Sequence, residues 1–330
     1  MTTEQYTPPL YSGNPYIPQG SYPPPAWHED EPDSPLHWPP KRIYEYLDGK
    51  VWKQDAAKRA AAMLTYNALG RGDRENAFFV GPSGCGKTHI WRCLQELYPH
   101  RIVIVDASRL TKEGWSGSIK WSDLLRDPIL QTGAPAILVM DEADKFLLPC
   151  HTSHGDNIAH AVASEGLKIL EGSLVEVKER KDSFTLDTSR ISFVCCGAFS
   201  DMASQRAKDR QKIGFGAPAA RPSAYDRPIT ERDLLDCGVM PEFLGRIQRI
   251  VNLEPMTADD FFHLLDSDAG PVERLQRRYG VQIHLSAPRR RELAEQAASS
   301  GLGVRSMESR LRQLLDDALF EDCAQASLTF

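Results

Sequence analysis

Gly81-Pro-Ser-Gly-Cys-Gly-Lys-Thr88 is the stretch that decides the fold, because its spacing, G-x-x-x-x-G-K-[ST], joins a strand to a helix through a sharp turn. Residues 76–80, directly before it, are mostly apolar and predict a short buried strand. Residues 89–97, directly after it, predict a helix. Glycine at three positions of the stretch lets the backbone bend. The pattern therefore predicts a strand–loop–helix unit of an α/β fold.

Residues 81–88 are called the phosphate loop below, because the N–H groups of such a loop point inward and attract anions. The N-terminus of the following helix adds partial positive charge. Lys87 is expected to reach the β- and γ-phosphates, and the Thr88 hydroxyl to hold Mg²⁺. ATP and Mg²⁺ are thus the predicted cofactors; the predicted contacts are Gly81, Pro82, Ser83, Gly84, Cys85, Gly86, Lys87, Thr88 and His89. The alternative is a glycine-rich turn without a ligand.

A second apolar run, residues 136–140, ends in two adjacent carboxylates, Asp141 and Glu142. Beside a phosphate loop, Asp141 is expected to hold Mg²⁺ together with Thr88. Glu142 is expected to orient and deprotonate an attacking water. This pair favours hydrolysis of ATP over transfer to a small molecule, which would need an acceptor site. A solvated strand end is the alternative.

Length and composition narrow the class of protein. The 330 residues are 41% hydrophobic, enough for a sizeable core, and the net charge of −6 argues against a chain-wide nucleic-acid footprint. Seven cysteines without a C-x-x-C pair argue against a disulfide framework and a zinc module. No apolar run approaches the ~18 residues of a membrane span, and no signal-peptide pattern is present. A cytoplasmic protein is expected.

Apolar runs that do not alternate with polar residues recur between helical stretches, at 76–80, 102–105, 136–140, 191–196 and 250–253. Continuous apolar strands of this kind are typical of a parallel sheet that is covered on both faces. The predicted fold class is α/β, with a doubly wound parallel sheet in a large nucleotide-binding domain at 41–254. Residues 255–330 predict a small, mainly helical domain, whose last helix has one apolar face: Met307, Leu311, Leu314, Leu315, Ala318 and Leu319.

Residues 1–40 contain 11 of the 23 prolines, interleaved with tyrosine and tryptophan, and have no helix or strand periodicity. They predict a disordered Pro/Tyr-rich tail. The tail is either a solvated leader or a docking peptide.

The order of several motifs resembles the AAA+ family, and within it the ClpX unfoldases. Val51-Trp-Lys-Gln54 is similar to the family's Val-Ile-Gly-Gln segment beside the adenine, and Asp141-Glu-Ala-Asp-Lys145 to its acidic strand end. The run at 106–117 resembles the first pore loop, and 238–246 the segment that carries an arginine finger. The resemblance covers roughly residues 41–325. It implies a hexameric ring that hydrolyses ATP and pulls on protein substrates through closure of two domains.

The resemblance also implies roles for single residues. Val51 and Trp52 would contact the adenine. Arg246 would act as a catalytic finger on the nucleotide of the neighbouring subunit; a simple surface charge is the alternative. Trp115, beside Ser116 where the family has Val, would grip a polypeptide in the pore, unless it folds back on the core.

Lys212-Ile-Gly-Phe-Gly216 lies in a long loop at 205–230. ClpX-type proteins use an Ile-Gly-Phe tripeptide to dock on the peptidase ClpP. Ile213, Gly214 and Phe215 are therefore the candidate docking residues, with a flexible surface loop as the alternative.

The sequence departs from the family at several places. Residues 1–40 contain no cysteine, so the zinc-binding domain of ClpX is expected to be absent. The segment between residues 177 and 187 is shorter than the family's basic loop at the pore entrance. Leu302 stands where the family has its second sensor arginine. Arg305 replaces that arginine only if the helix begins at a shifted position.

Two other functions stay open. A non-proteolytic remodeller, or a scaffold switched by ATP, fits Ser116 and the missing sensor arginine. A motor that acts on nucleic acid is the other open function. Stimulation of ATP hydrolysis by nucleic acid at low salt would favour it.

Overall fold

The computed structural model describes residues 33–111, 119–150, 157–179, 182–200, 225, 227–268, 270–323 and 326–330. The candidate pore residues Trp115 and Ser116, the candidate docking residues 213–215 and the chain up to residue 32 lie outside the described residues. What was inferred for them stays a prediction.

Among the described residues, strands and helices are interspersed up to residue 252, and helices dominate after it. The strands are β1 (Ala77–Val80), β2 (Ile102–Asp106), β3 (Ala136–Asp141), β4 (Leu174–Glu179), β5 (Asp182–Asp187), β6 (Ile191–Gly197), β7 (Arg249–Asn252), β8 (Gln282–His284) and β9 (Ser327–Thr329). The helices are α1 (Pro40–Asp48), α2 (Asp55–Thr65), α3 (Lys87–Leu97), α4 (Trp121–Leu124), α5 (Pro128–Gln131), α6 (Asp144–Leu147), α7 (Ile158–Glu171), α8 (Glu231–Asp236), α9 (Pro241–Leu244), α10 (Ala258–Leu265), α11 (Pro271–Tyr279), α12 (Ala287–Ser300) and α13 (Val304–Glu321). Among the described residues, no helix is long and apolar enough to cross a membrane.

Five strands form one sheet in the order β2-β3-β6-β1-β7, and every pairing in it is parallel. The carboxyl ends of β1, β3 and β6 therefore meet at one edge, where ligands of open α/β sheets bind. This edge carries the phosphate loop after Val80, the carboxylates from Asp141 onward and the chain after Gly197.

Strand β1 shows why the apolar runs do not alternate with polar residues. Phe78 and Val80 belong to one buried cluster, which includes residues of α7. Ala77 and Phe79 belong to a second buried cluster, which includes residues of α2 and α3. Both faces of the sheet are thus covered, and the predicted doubly wound parallel sheet is confirmed.

The last part of the chain has a buried cluster of its own. Phe261 of α10, Leu275 of α11, and Met307, Leu311 and Leu315 of α13 are all members. The apolar face expected for the last helix is therefore buried at those three positions, while Leu314 and Leu319 are half-buried. The parallel pair β8–β9 was not expected.

The start of the chain's packed part differs from the prediction. Ser34 and Pro35 are buried, and the Tyr98 hydroxyl donates a hydrogen bond of 2.8 Å to the carbonyl of Pro35. Trp38 packs against Tyr46. A disordered tail to residue 40 is therefore wrong for residues 33–40, because these apolar groups find partners on α1 and beside the end of α3.

Candidate functional site

The phosphate loop connects β1 to α3, as its spacing predicted. Gly84 and Gly86 have φ values of +74° and +102°, which glycine adopts without strain. A β-carbon placed on Gly81 would lie 2.9 Å from Leu253, so the backbone passes this residue too closely for a side chain. A β-carbon on Gly86 would meet no atom of the described residues within 4 Å, so the loop is open on that side.

Thr88 joins the phosphate loop to the acidic strand end. Its hydroxyl donates a hydrogen bond of 2.8 Å to Oδ2 of Asp141. The two oxygens thus lie side by side, and both are ligand types that Mg²⁺ prefers. The pair fits a magnesium ion that takes its remaining ligands from phosphates and water.

Lys87 is buried, and its ammonium donates hydrogen bonds to the carbonyls of Gly81 (2.7 Å) and Pro82 (2.8 Å). Both acceptors are neutral. Among the described residues the ammonium makes no ion pair, so its charge is available to an anion in the loop. This arrangement fits the predicted contact with the outer phosphates.

Glu142 follows β3 in the left-handed region, with φ +56°. A non-glycine residue in this region stores strain of roughly 1–3 kcal/mol, and such strain clusters at functional sites. The amide of Glu142 donates to Oδ1 of Asp141 (3.1 Å), and the next amide, of Ala143, donates to Cys196 on β6 (2.8 Å). The backbone of Glu142 is thereby fixed next to Asp141, and its carboxylate is exposed.

A cleft of about 650 Å³ contains most of the predicted contacts. Residues before position 254 and residues after position 255 both line this cleft. Among its lining residues are Val51, Trp52, Ser83, Gly84, Cys85, Gly86, Lys87, Thr88, His89, Asp141, Glu142 and Arg305. Gly81 and Pro82 are not among them; they face the ammonium of Lys87 instead.

The thiols beside the loop are protonated at neutral pH. Burial raises the pKa of the Cys85 thiol, although the charge of Lys87 opposes this effect. Burial raises the pKa of Cys196 well above its ordinary value, and the Asp141 carboxylate adds to the shift. Neither sulfur is therefore an activated nucleophile.

Trp52 connects the cleft to the helical part of the chain. Its ring stacks on the imidazole of His263 in α10, with centroids 5.0 Å apart, and its Nε1–H donates to Asp260 (3.1 Å). The next residue, Lys53, pairs with the same Asp260 carboxylate at 3.0 Å. The carboxamide of Gln54 then bonds both to the carbonyl and to the amide of Glu254.

The segment at the missing sensor arginine lies directly against the phosphate loop. Leu302 is 58% exposed, and Gly303 precedes the first residue of α13. Arg305, at the second position of that helix, is exposed and lines the cleft. The structure therefore brings Arg305 to the cleft although it is displaced in sequence from the family position.

Arg246 is not among the residues that line the cleft. Its guanidinium instead donates to Glu171, the last residue of α7, and to the carbonyl of Glu242. Arg246 is thus separated from the phosphate site of its own chain, as a finger that acts on a neighbouring subunit would be.

Sequence reasoning missed several residues at this site. Arg274 and Glu308 line the cleft and form an ion pair of 3.3 Å. Arg274 lies on α11, which was not predicted. Pro271 at its first position and Gly280 after its end are the usual helix boundary signals, and they were overlooked.

The sequence profile of the AAA domain (Cdc48 subfamily) matches residues 73–250, more than half of the chain. The chain belongs to this family. The matched region spans the sheet from just before β1 into β7, including the phosphate loop and the acidic end of β3. Family membership and the geometry of the cleft make the protein an ATPase.

Curated relatives narrow the family further. The chain is similar to the "ATP-dependent Clp protease ATP-binding subunit ClpX" of Treponema denticola, with 28% identity over 322 residues, covering 86% of this chain and 77% of the relative. It is 29% identical to "ClpX 2" of Wolinella succinogenes over 318 residues, covering 88% and 79%. The ClpX of Porphyromonas gingivalis is 28% identical over 319 residues, covering 85% and 77%. The protein is therefore a ClpX-like AAA+ ATPase, and the resemblance inferred from its motifs is confirmed.

Proposed function

We propose that this ATPase works as a homo-hexameric ring, in which ATP bound to one subunit is hydrolysed with the help of Arg246 from the next. The observation that carries the proposal is the separation within one chain: Glu142, Thr88 and Asp141 meet at the cleft, whereas Arg246 lies elsewhere. A guanidinium that stabilises charge on a phosphoryl group must contact it. In this arrangement only a second copy brings the two together.

Within the cleft, each residue has a separate task. The N–H groups of the phosphate loop and the N-terminus of α3 bind the phosphates, and Lys87 adds charge. Thr88 and Asp141 would hold Mg²⁺, which neutralises phosphate charge when bound. Glu142 accepts a proton from the water that it orients.

Mixing two inactive variants tests this proposal. Lys87→Ala removes the phosphate contact but keeps the finger, and Arg246→Ala does the opposite. Each variant alone is expected to be inactive, while a mixture restores hydrolysis at interfaces that join an intact loop to an intact finger. A mixture as inactive as its components, or a wild-type protein that stays a monomer with ATP and hydrolyses none, would overturn the ring.

Protein substrates are the second element of the proposal, supported by the relatives' names as subunits of Clp proteases. ATP-driven closure between residues 41–254 and 255–330, the two proposed domains, would pull on the polypeptide. Trp115 and Ser116 would contact it in the pore. Trp115→Ala is expected to abolish unfolding of a folded test protein while hydrolysis continues; unchanged unfolding would remove the pore role.

A ClpP-type peptidase is the proposed partner, and the cytoplasm the proposed location. Ile213 and Phe215 would dock on the peptidase as apolar anchors, and Gly214 would allow the bend between them. Phe215→Ala is expected to lose stimulation of ClpP while it keeps ATP hydrolysis. Equal stimulation by both proteins would end this part of the proposal.

A non-proteolytic remodeller is the second candidate, and the exposed Leu302 at the sensor position favours it. With leucine at that position, nucleotide state would be coupled less directly to domain closure unless Arg305, which lines the cleft, takes over the role. The two candidates differ in a single assay: a remodeller dissociates protein complexes without unfolding a stably folded substrate.

A further inference from the structure

Arg246 is held in its own chain by Glu171, a residue 75 positions earlier. Two nitrogens of the guanidinium are occupied, one by the Glu171 carboxylate and one by the carbonyl of Glu242. The Nε–H is buried without a hydrogen-bond partner among the described residues. The side chain of Arg246 is 24% exposed and that of Glu171 is 50% exposed, so the pair lies at the surface without being fully solvated.

Glu171 is an unfavourable residue for its place in the helix. It is the last residue of α7, where the helix dipole presents partial negative charge. A carboxylate there is unfavourable unless a cation offsets it. Arg246 is the cation that pairs with the Glu171 carboxylate, whereas Arg74 at the same helix end donates to the carbonyl of Leu170.

The backbone of Arg246 is tied to the same end of α7. Asn76 is fully buried, and its Nδ2 donates both to the carbonyl of Leu170 (3.0 Å) and to the carbonyl of Arg246 (2.9 Å). Its Oδ1 accepts from the amide of Phe193 on β6 (3.0 Å). The main chain and the side chain of Arg246 are thus both fixed relative to the end of α7.

We propose that Glu171 is a positioning residue for Arg246: it holds the guanidinium in one orientation before the neighbouring subunit's nucleotide arrives. The inference rests on the proposed finger role of Arg246. A free arginine side chain loses rotamer entropy when it is immobilised, and a partner that orders it in advance reduces that loss. A guanidinium has five N–H donors, so Glu171 and Glu242 leave several for a phosphate. A half-exposed ion pair adds little to stability, which separates this role from a structural one.

The test is a double-mutant cycle on ATP hydrolysis, at protein concentrations where the oligomer is verified by size. Glu171→Ala is expected to lower kcat about tenfold, because small misplacements of a catalytic group are costly. KM for ATP should stay close to wild type, since Glu171 does not touch the cleft. Glu171→Gln keeps an oxygen acceptor and should lose less. In an Arg246→Lys background, Glu171→Ala should cause no further loss.

Glu176→Ala is the matched control, since Glu176 is an exposed carboxylate on β4 and should keep wild-type kcat. If Glu171→Ala keeps wild-type kcat, or its loss adds fully to that of Arg246→Lys, the positioning role is overturned while the finger stands. If Arg246→Lys itself keeps full kcat, the finger role fails, and the inference fails with it. Should Glu171→Ala not fold, the nearly isosteric Glu171→Gln carries the same cycle.

Discussion

Gly303 lies directly against Gly84 of the phosphate loop, so close that a β-carbon on Gly84 would be 2.8 Å from the Cα of Gly303. A β-carbon on Gly303 would in turn lie 3.0 Å from the carbonyl oxygen of Gly84. Gly303 also has φ +60° and ψ −139°, a combination that is essentially confined to glycine. At this point the helical part of the chain contacts the phosphate loop through backbone atoms.

Gly303→Ala is expected to weaken ATP binding about tenfold. The neighbours of the new β-carbon are backbone atoms, which cannot move aside as the end of a flexible side chain can. A strain of about 1.4 kcal/mol already corresponds to a tenfold change in Kd. The new β-carbon must push the start of α13 away from the phosphate loop. Titration with a fluorescent ATP analogue measures the change in Kd.

Gly301→Ala is the matched control. Gly301 has a similar φ of +67°, but a β-carbon there meets no atom of the described residues within 4 Å. It should cost about 1 kcal/mol of stability from backbone strain and leave the Kd for ATP unchanged. Equal losses of affinity in both variants would mean that the contact with Gly84 is irrelevant to binding.

Glu142→Gln is expected to bind ATP normally and to hydrolyse it at least about 100-fold more slowly, the usual contribution of a general base. Glutamine has nearly the same shape and adopts the same left-handed backbone, so the variant removes only the charge. Hydrolysis rates and nucleotide retained after gel filtration check both parts. Glu295→Gln, at an exposed position of α12, should behave as wild type. Normal turnover in Glu142→Gln would refute the assigned base.

The sheet was predictable because its determinants are local. The run before Gly81 is apolar at consecutive positions, and β1 is indeed buried on both faces. The hairpin β4–β5 was missed although Val175 and Val177 alternate with charged residues, the period of a strand with one solvated face. The segment between α7 and β6 was interpreted as a loop, although it forms this short antiparallel pair.

The site was predictable where a motif keeps residues close in sequence, as at 81–88 and 141–142. It was not predictable where distant residues meet. Nothing near Glu171 in the sequence indicates Arg246, and nothing near Trp52 indicates His263, because those contacts depend on how whole elements pack. Residues 33–40 were misjudged for the same reason: their proline content predicts disorder, but Tyr98 binds the carbonyl of Pro35.

Trp52→Phe is expected to raise KM for ATP several-fold, because the ring can still stack on His263 but the hydrogen bond to Asp260, worth about 1 kcal/mol, is lost. Without that bond, Trp52 is in its binding position in a smaller fraction of molecules, and the apparent affinity for ATP falls. Trp52→Ala should lose more, since stacking contributes about 0.5–1.5 kcal/mol. Trp38→Phe, which breaks an indole hydrogen bond to the backbone carbonyl of Asp33 away from the cleft, should keep the wild-type KM. Steady-state kinetics measure all three.

Asp127 provides a prediction about pH and stability. It is 8% exposed, and its Oδ1 accepts a hydrogen bond from the amide of Ile129 at the start of α5. Burial raises the pKa of its carboxyl above the ordinary value of 3.8, although that hydrogen bond opposes the shift. The folded state therefore holds this proton more tightly than the unfolded state does. The free energy of unfolding therefore falls as the pH rises from 3.8 through the higher pKa of the folded state, because the buried carboxyl loses its proton over that range.

Asp127→Asn is expected to raise stability at pH 7 by about 0.5–1 kcal/mol, within the range of helix-cap and charge optimisation. Asparagine caps a helix as well as aspartate does, so the bond to Ile129 is kept while the buried charge is removed. Thermal unfolding at a series of pH values should show the gain shrinking towards zero as the pH falls below 3.8, where the wild-type carboxyl is protonated in both states. Asp317→Asn, at an exposed position of α13, should show no such gain. A loss of stability at pH 7 in Asp127→Asn would mean that the hydrogen bond to the ionised carboxylate outweighs its burial.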